Sequence, residues 1–175
     1  ASSWAFSDDN KKVTFTLRSG VKYQDGTPMD AASVKWNLDR YIDKTIASPA
    51  SDVLNGLVTD VSTPDDHTVV LTLSSQFAAL FDTLGGVYMV SPTAFQKVGA
   101  DNFGQTPTGT GPWVVKEQVA NDHRTFTRNP DYTWDPSWFD NKGAVYPDQF
   151  TIKYLGDDAT IYSALETGQV QVAPI

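Results

Sequence analysis

Residues 13–41 read VTFTLRSGVKYQDGTPMDAASVKWNLDRY and predict a strand, a turn and a helix in that order. Apolar residues alternate with polar ones from Val13 to Leu17, which is the period of a half-buried strand. Asp25-Gly26 is a tight-turn pair, because glycine adopts the positive φ that such turns need. The stretch therefore predicts a chain that mixes sheet and helix.

The helix of this stretch is predicted to begin after Asp30, whose side chain is well suited to cap the first free N–H groups. Apolar residues then recur at helical spacing, which predicts one buried face. That face consists of Ala31, Val34, Leu38 and either Tyr41 or Ile42.

The composition is that of a folded, acidic domain. The chain has 175 residues, of which 40% are hydrophobic, and its formal net charge is −8. A negative chain is a poor partner for nucleic acid or for an anionic membrane, since both bind basic surfaces. It contains no cysteine, which excludes disulfides, thiolate catalysis and thiolate metal sites.

The rest of the chain carries short strand and helix signals separated by turns. Predicted strands are Val58 to Val61, Thr68 to Leu73, Trp113 to Val119, Arg124 to Arg128, a strand with Phe150, Ile152 and Tyr154, and one starting at Val170 and Val172. Predicted helices are Phe77 to Leu84, a helix capped by Ser91 and ending at Gly99, and one capped by Asp157 or Asp158 and ending at Gly168. Residues 45–55 are predicted as loop or short helix, and residues 102–108 as the crossing between two sub-domains.

Three segments resemble one protein family. Val13 to Val34 is similar to the pattern Tyr-Thr-Phe-x-Leu-Arg-x-Gly-Val-x-Phe-x-Asp-Gly-x-Pro-Leu-x-Ala-x-Asp-Val, which is typical of family 5 extracellular solute-binding proteins of ABC importers. Gly109 to Trp113 and the run from Arg128 to Trp134 resemble the family's Gly-Thr-Gly-Pro-Tyr and Arg-Asn-Pro-x-Tyr-Trp segments. Tyr146 to Val172 resembles a third family segment, in the family's order, and Leu165, Gly168, Gln169 and Val170 fit its pattern.

This sequence departs from the family's pattern at several positions, including Ser33, Ala50 and Gln171. Ser33 stands where an acidic residue is usual, and Gln171 replaces the usual aspartate. Peptide-binding relatives often carry an aromatic residue after a Ser-Pro pair, whereas here Ser48-Pro49 is followed by Ala50.

The resemblance implies an α/β fold of the mixed α+β kind, a periplasmic-binding-protein-like class II lobe. Residues 1–107 would form mainly the small sub-domain of the N-terminal lobe. Residues 108–175 would form part of its main sheet, up to the hinge. The second lobe is absent, so we expect this chain to be a fragment of a two-lobed clamp.

The implied function is the substrate-binding component of an ABC importer that captures peptide-like solutes and delivers them to the permease. Neither catalysis nor a cofactor is expected, and the family's partners are the solute and the permease subunits. The expected location is outside the cytoplasm, in the periplasm or at the cell surface, as a monomer. Any lipid anchor would lie outside these residues.

The candidate ligand-binding residues implied by the resemblance are Gly109, Thr110, Gly111 and Trp113, because the family's segment lies near the cleft. A phosphate-binding loop is excluded here, since Thr110-Gly111 stands where Lys-Ser/Thr is required and a strand follows. The glycines are predicted to let the backbone enter a sheet in an unusual conformation.

Other chemistry has weak signals. His67 and His123 lie in predicted turns without the clustered ligands of a metal site, so no metal is expected. Trp36 and Trp113 are predicted core residues, and Trp134 and Trp138 are candidates for an exposed or sealing role. The aromatic content leaves open a carbohydrate-binding or adhesion module. A hydrolase domain is the other alternative, although no serine elbow is present.

Overall fold

The computed structural model describes residues 1–135, 139–140 and 143–174. The predicted mixed α/β class is confirmed. Trp138 lies outside the described residues, so its predicted exposed or sealing role is not addressed.

The first sheet is antiparallel and has the strand order β1-β2-β4-β3. Its strands are β1 (Ser3–Phe6), β2 (Lys12–Thr16), β3 (Val58–Asp65) and β4 (Thr68–Leu73). The predicted alternation appears most clearly in β4, where Val69, Leu71 and Leu73 are all buried. One face of this sheet therefore carries the core.

Helix α1 (Ala31–Ile42) covers that face. Asp30 caps it as predicted, with its carboxylate accepting from the Ser33 N–H at 2.8 Å. The predicted apolar stripe is buried, so hydrophobic burial fixes the helix on the sheet. Its buried apolar members are Ala31, Val34, Leu38 and Tyr41.

Four shorter helices follow: α2 (Pro49–Leu57), α3 (Leu80–Gly85), α4 (Pro92–Val98) and α5 (Ala100–Phe103). Helix α2 settles the open prediction for residues 45–55, since Ser48 caps it and Pro49 takes a position that needs no N–H. Ser91 caps α4 as predicted, through the Ala94 N–H at 3.1 Å. Helix α3 begins later than predicted, at Leu80, and no side chain caps it.

The second sheet has the antiparallel order β5-β6-β7. Its strands are β5 (Trp113–Val119), β6 (His123–Arg128) and β7 (Gln149–Lys153), close to the predicted bounds. The ring of Phe150 packs against Trp113 and stacks on Phe126, with centroids 4.6 and 4.7 Å away. This aromatic row ties the three strands together.

Helix α6 (Asp158–Glu166) follows this sheet, and Asp157 is its cap. The predicted strand at Val170 and Val172 is wrong, because these residues have no strand conformation. The Val170 N–H instead bonds to the Ala164 carbonyl at 3.1 Å and closes the end of the helix. No described strand pairs with this segment, and β-structure needs a partner.

The tryptophan predictions need a correction. Trp36 and Trp113 are half-buried rather than in the core. Trp36 packs on Phe95 at a centroid distance of 5.4 Å, and the Arg40 guanidinium lies 4.7 Å from its ring centroid. Trp36 therefore lies where α1 meets α4, at the edge of the core.

Among the described residues, no helix is long and apolar enough to cross a lipid bilayer.

Replacing Asn37 by alanine should destabilise the chain strongly. Asn37 is fully buried, and its amide donates to the Val90 carbonyl at 2.8 Å and accepts from the Val90 N–H at 3.0 Å. Asn37→Ala leaves both backbone groups without a partner, which should lower the free energy of unfolding by about 3 kcal/mol. Urea unfolding measures this. Lys35→Ala on the same helix is the control, because it removes an exposed ion pair with Asp39 and should lower the free energy of unfolding by less than about 0.5 kcal/mol. Equal losses of unfolding free energy in the two variants would refute the role assigned to Asn37.

Replacing His123 by glutamine should make stability depend less on pH. The hydrogen bond with Asp122, at 2.8 Å, and the nearby Glu117 raise the pKa of His123 above its usual 6.5. The charged ring therefore stabilises the fold below the usual pKa, and this contribution disappears as pH rises through the folded-state pKa. His123→Gln should lower Tm at about pH 5 and have little effect at about pH 9.

His67 provides the matched control for that experiment. It is exposed in a turn, and no described carboxylate forms an ion pair with its ring. The Tm change of His67→Gln at each pH gives the effect of replacing an exposed histidine that has no such ion pair, and the His123→Gln change is compared with it. A His123→Gln effect that is larger at high pH would contradict the proposed charge interaction.

Candidate functional site

Residues 109–113, Gly109-Thr110-Gly111-Pro112-Trp113, follow helix α5 and end at the first residue of β5, and we call them the strap. The strap is half-buried and has no regular secondary structure before Trp113. Half-buried backbone outside a sheet needs side chains, water or ligand to satisfy its polar groups. The partners of those groups define the site.

Gln24 is the main partner of the strap. Its side-chain amide donates to the carbonyls of Trp113 at 2.7 Å and Gly111 at 3.3 Å. Its side-chain oxygen accepts from the Gly109 N–H at 3.3 Å, and its own N–H donates to the Gly109 carbonyl at 2.9 Å. Gln24, which lies in the family-like segment Val13 to Val34, thus holds both ends of the strap.

A tight turn positions Gln24. The Gly26 N–H bonds to the Tyr23 carbonyl at 2.9 Å, and Gly26 has a φ of +84°, as the Asp25-Gly26 pair predicted. The Asp25 carboxylate accepts from the Thr27 N–H at 3.0 Å and from the buried Ser91 hydroxyl at 2.5 Å. Because these bonds lock the turn from two directions, Gln24 can reach the strap in one orientation.

The electrostatics of Asp25 fit this locking role. Burial acts to raise the pKa of Asp25, but hydrogen bonds from Ser91 and Thr27 outweigh it and hold the pKa below its usual value. The carboxylate therefore stays ionised at neutral pH. Since its oxygens are already occupied by protein donors, Asp25 is suited to a structural role.

A second set of contacts holds the strap from the other side. The Trp134 indole N–H donates to the Thr110 carbonyl at 2.9 Å. Asn129 donates to the Gly111 carbonyl through its side chain at 3.1 Å and to the Pro112 carbonyl through its backbone at 2.8 Å. Arg18 in turn donates to the carbonyls of Trp134 at 2.6 Å and Asp135 at 2.9 Å.

The predicted site residues lie together on the strap, as their adjacency requires. The ring of Trp113 packs on Phe150, while its carbonyl is held by Gln24. Neither Gly109 nor Gly111 has a positive φ, so the predicted unusual conformation does not take that form. Contact of any of the four residues with a ligand stays a prediction.

Sequence reasoning missed Gln24, Asn129 and Arg18 as partners of this site. Gln24 occupies a variable position of the first motif, so nothing marks it. Asn129 and Trp134 lie in the run that resembles the family's Arg-Asn-Pro-x-Tyr-Trp segment, and that resemblance was the signal that could have identified them as partners of the strap. The aromatic contact of peptide-binding relatives has no counterpart at Ala50, which is buried close to Gly86.

A cavity of about 170 Å³ lies beside the strap, between Gln24, Asp25, Thr106 to Thr108 and β5. Sites for small molecules usually enclose roughly 300–1,000 Å³. The cavity is therefore too small to be a complete ligand site. Among the described residues, no group of three or more histidine, aspartate or glutamate side chains could hold a metal ion.

Replacing Gln24 by glutamate should destabilise the chain at neutral pH. An ionised carboxylate cannot donate to the carbonyls of Gly111 and Trp113 and would lie against their negative ends, at a cost of about 2 kcal/mol. The carbonyls would raise the pKa of the new carboxyl group. The loss should therefore be full above the folded-state pKa and shrink as pH falls through it.

Urea unfolding of Gln24→Glu at about pH 7 and about pH 4 measures this dependence. Gln171→Glu is the matched control, because the exposed Gln171 donates to a single local carbonyl, that of Gly168. A Gln24→Glu variant as stable as Gln171→Glu at neutral pH would show that the amide does not hold the strap.

The chain matches known proteins along its whole length. A family model described as bacterial extracellular solute-binding proteins, family 5 Middle, covers residues 1–175. The chain is 32% identical to the probable D,D-dipeptide-binding periplasmic protein DdpA of Escherichia coli K12, with 99% of this chain and 33% of that protein covered. It is 33% identical to the glutathione-binding protein GsiB of the same strain, covering 99% and 32%.

A comparison with solved structures also finds a binding protein that is similar to this chain. The binding protein MoaA of A. tumefaciens R10, solved in complex with mannopinic acid, superposes with a TM-score of 0.81 at 27% identity. The superposition covers 96% of this chain and 33% of that one. The chain thus spans about a third of the length of the relatives it matches. It belongs to family 5 of the bacterial extracellular solute-binding proteins.

Proposed function

We propose that this chain is part of the substrate-binding component of an ABC importer, which captures a peptide-like solute and delivers it to the permease. The match to the family over residues 1–175 carries the proposal. Two relatives are named for binding a D,D-dipeptide and glutathione, both of which are peptides. The protein acts outside the cytoplasm as a monomer, without catalysis of its own.

The proposed working unit is a clamp of two lobes. Residues 1–107 form mainly the small sub-domain of one lobe, and residues 108–175 form part of its main sheet. The second lobe comes from residues outside this chain, in keeping with relatives about three times as long. Solute lies between the lobes, so affinity needs both surfaces and the closure that excludes water.

The strap is the proposed solute-contacting part of this lobe, through Gly109, Thr110, Gly111 and Trp113. It lies between the two sheets, and the contacts of Gln24, Asn129 and Trp134 hold its backbone in place. A backbone that is fixed before binding loses little entropy when a solute arrives.

The two alternatives find less support. A sugar-binding platform needs coplanar exposed rings, but Phe81 meets Trp4 at 56° and Phe6 at 85°. A hydrolase domain would need a serine elbow, which the sequence lacks, or a carboxylate pair with free oxygens in a cleft. The carboxylate at the cavity beside the strap, Asp25, is occupied by Ser91 and Thr27.

Isothermal titration calorimetry tests the proposed function. The protein expressed from the complete open reading frame is titrated with glutathione, D-alanyl-D-alanine and mannopinic acid, and residues 1–175 are titrated in parallel. The complete protein should bind one of the two peptides more tightly than mannopinic acid, because the proposed site takes peptide-like solutes. Residues 1–175 alone should bind weakly or not at all, because one lobe offers half of the contacts.

Two outcomes would count against the proposal. If the complete protein binds neither peptide, the proposal that its solute is peptide-like would be wrong. Micromolar binding by residues 1–175 alone would contradict the need for a second lobe.

A further inference from the structure

The strap uses its two kinds of backbone group very differently. Its carbonyl oxygens from Gly109 to Trp113 all accept hydrogen bonds from the protein. The donors are Gln24, Asn129 and Trp134. In contrast, no described group accepts from the N–H of Thr110 or of Gly111. The Thr110 hydroxyl likewise has no hydrogen-bond partner in the described part of the chain.

These unpaired donors lie in a segment whose carbonyls are held by the protein, and there is open space beside Gly111. Thr110 and Gly111 are half-buried, so their N–H groups gain from a partner. A Cβ built on Gly111 would meet no atom within 4 Å, and Gly111 has no positive φ. The glycine is therefore not required by the packing or the backbone of this chain, and a Cβ on it would stand two bonds from the Gly111 nitrogen.

We propose that the N–H groups of Thr110 and Gly111, together with the Thr110 hydroxyl, bind an acceptor oxygen of the solute. This inference rests on the proposed function and specifies the chemistry of its site. Two donor-only N–H groups and a hydroxyl that can also donate favour an oxygen with free lone pairs, and an ionised carboxylate forms the strongest such bonds. A peptide offers this chemistry at its C-terminal carboxylate and at its carbonyls.

The Gly111→Ala variant separates binding from folding. Within this chain the added methyl group meets nothing, so Tm should stay within about 2 °C of the wild type. The methyl group would occupy the space through which the solute reaches the donors, so affinity for glutathione and D-alanyl-D-alanine should fall about tenfold or more. Gly104→Ala is the matched control, since a Cβ there also meets no atom within 4 Å and Gly104 has no positive φ. It should change neither quantity.

Amide proton shifts give a second readout in the protein from the complete open reading frame. With selective ¹⁵N labelling of glycine and threonine, saturation by the bound peptide should move the Thr110 and Gly111 amide protons downfield. The Gly111→Ala spectrum assigns the Gly111 signal by its loss. Comparing D-alanyl-D-alanine with its C-terminal amide distinguishes a carboxylate from a peptide carbonyl, because a bound carboxylate predicts weaker binding of the amide.

The outcomes separate this inference from the proposed function. Wild-type binding that Gly111→Ala leaves unchanged, with no shift of either amide, would overturn the inference and leave the proposed function standing. Absence of binding to either peptide by the wild type would overturn the proposed function, and the inference with it. If Gly111→Ala lowers both the affinity and the Tm, the latter by clearly more than about 2 °C, the inference would also be overturned. The residue would then have a structural role.

Discussion

The amide of Gln24 is the interaction that holds the strap, the segment that joins the first part of the chain to the second sheet. It bonds to carbonyls on Gly111 and Trp113 and to the N–H of Gly109, at positions more than eighty residues away in the chain. The strap it holds is neither helix nor complete strand, so no backbone ladder can satisfy these groups. A side chain with both a donor and an acceptor is what such a segment requires, and glutamine supplies both in one planar group.

The locked turn explains why a flexible side chain can serve this purpose. Gly26 takes the positive φ that closes the turn, and the Asp25 carboxylate is held by Thr27 from within the turn and by Ser91 from α4. Ser91 also caps α4, and its N–H bonds to the Thr108 carbonyl at 2.9 Å, just before the strap. The first motif, the α4 cap and the strap thus form one hydrogen-bonded unit, and the entropy cost of ordering Gln24 is shared among these contacts.

Periodicity and capping could predict the elements of this fold because they are local signals. Strand β4 and helix α1 appear where alternation and the Asp30 cap placed them. The strand expected at Val170 failed because strand formation depends on a partner, which the alternating sequence does not reveal. Gln24 could not be predicted for a related reason: a polar residue in a turn has no signature, and its role is set by a strap far along the chain. The four strap residues were proposed through the family pattern, since neither their residue types nor their spacing marks a binding site.

The side chains that hold the strap, which we call its anchors, bond to its backbone atoms. This determines which substitutions in the strap its position can tolerate. Gln24, Asn129 and Trp134 donate to carbonyl oxygens, which every residue type provides. The side chains of the strap can therefore vary without loss of its position, whereas the anchors cannot. The same logic places the unpaired N–H groups of Thr110 and Gly111 among the features that any strap sequence without proline at those positions would keep, because they too belong to the backbone.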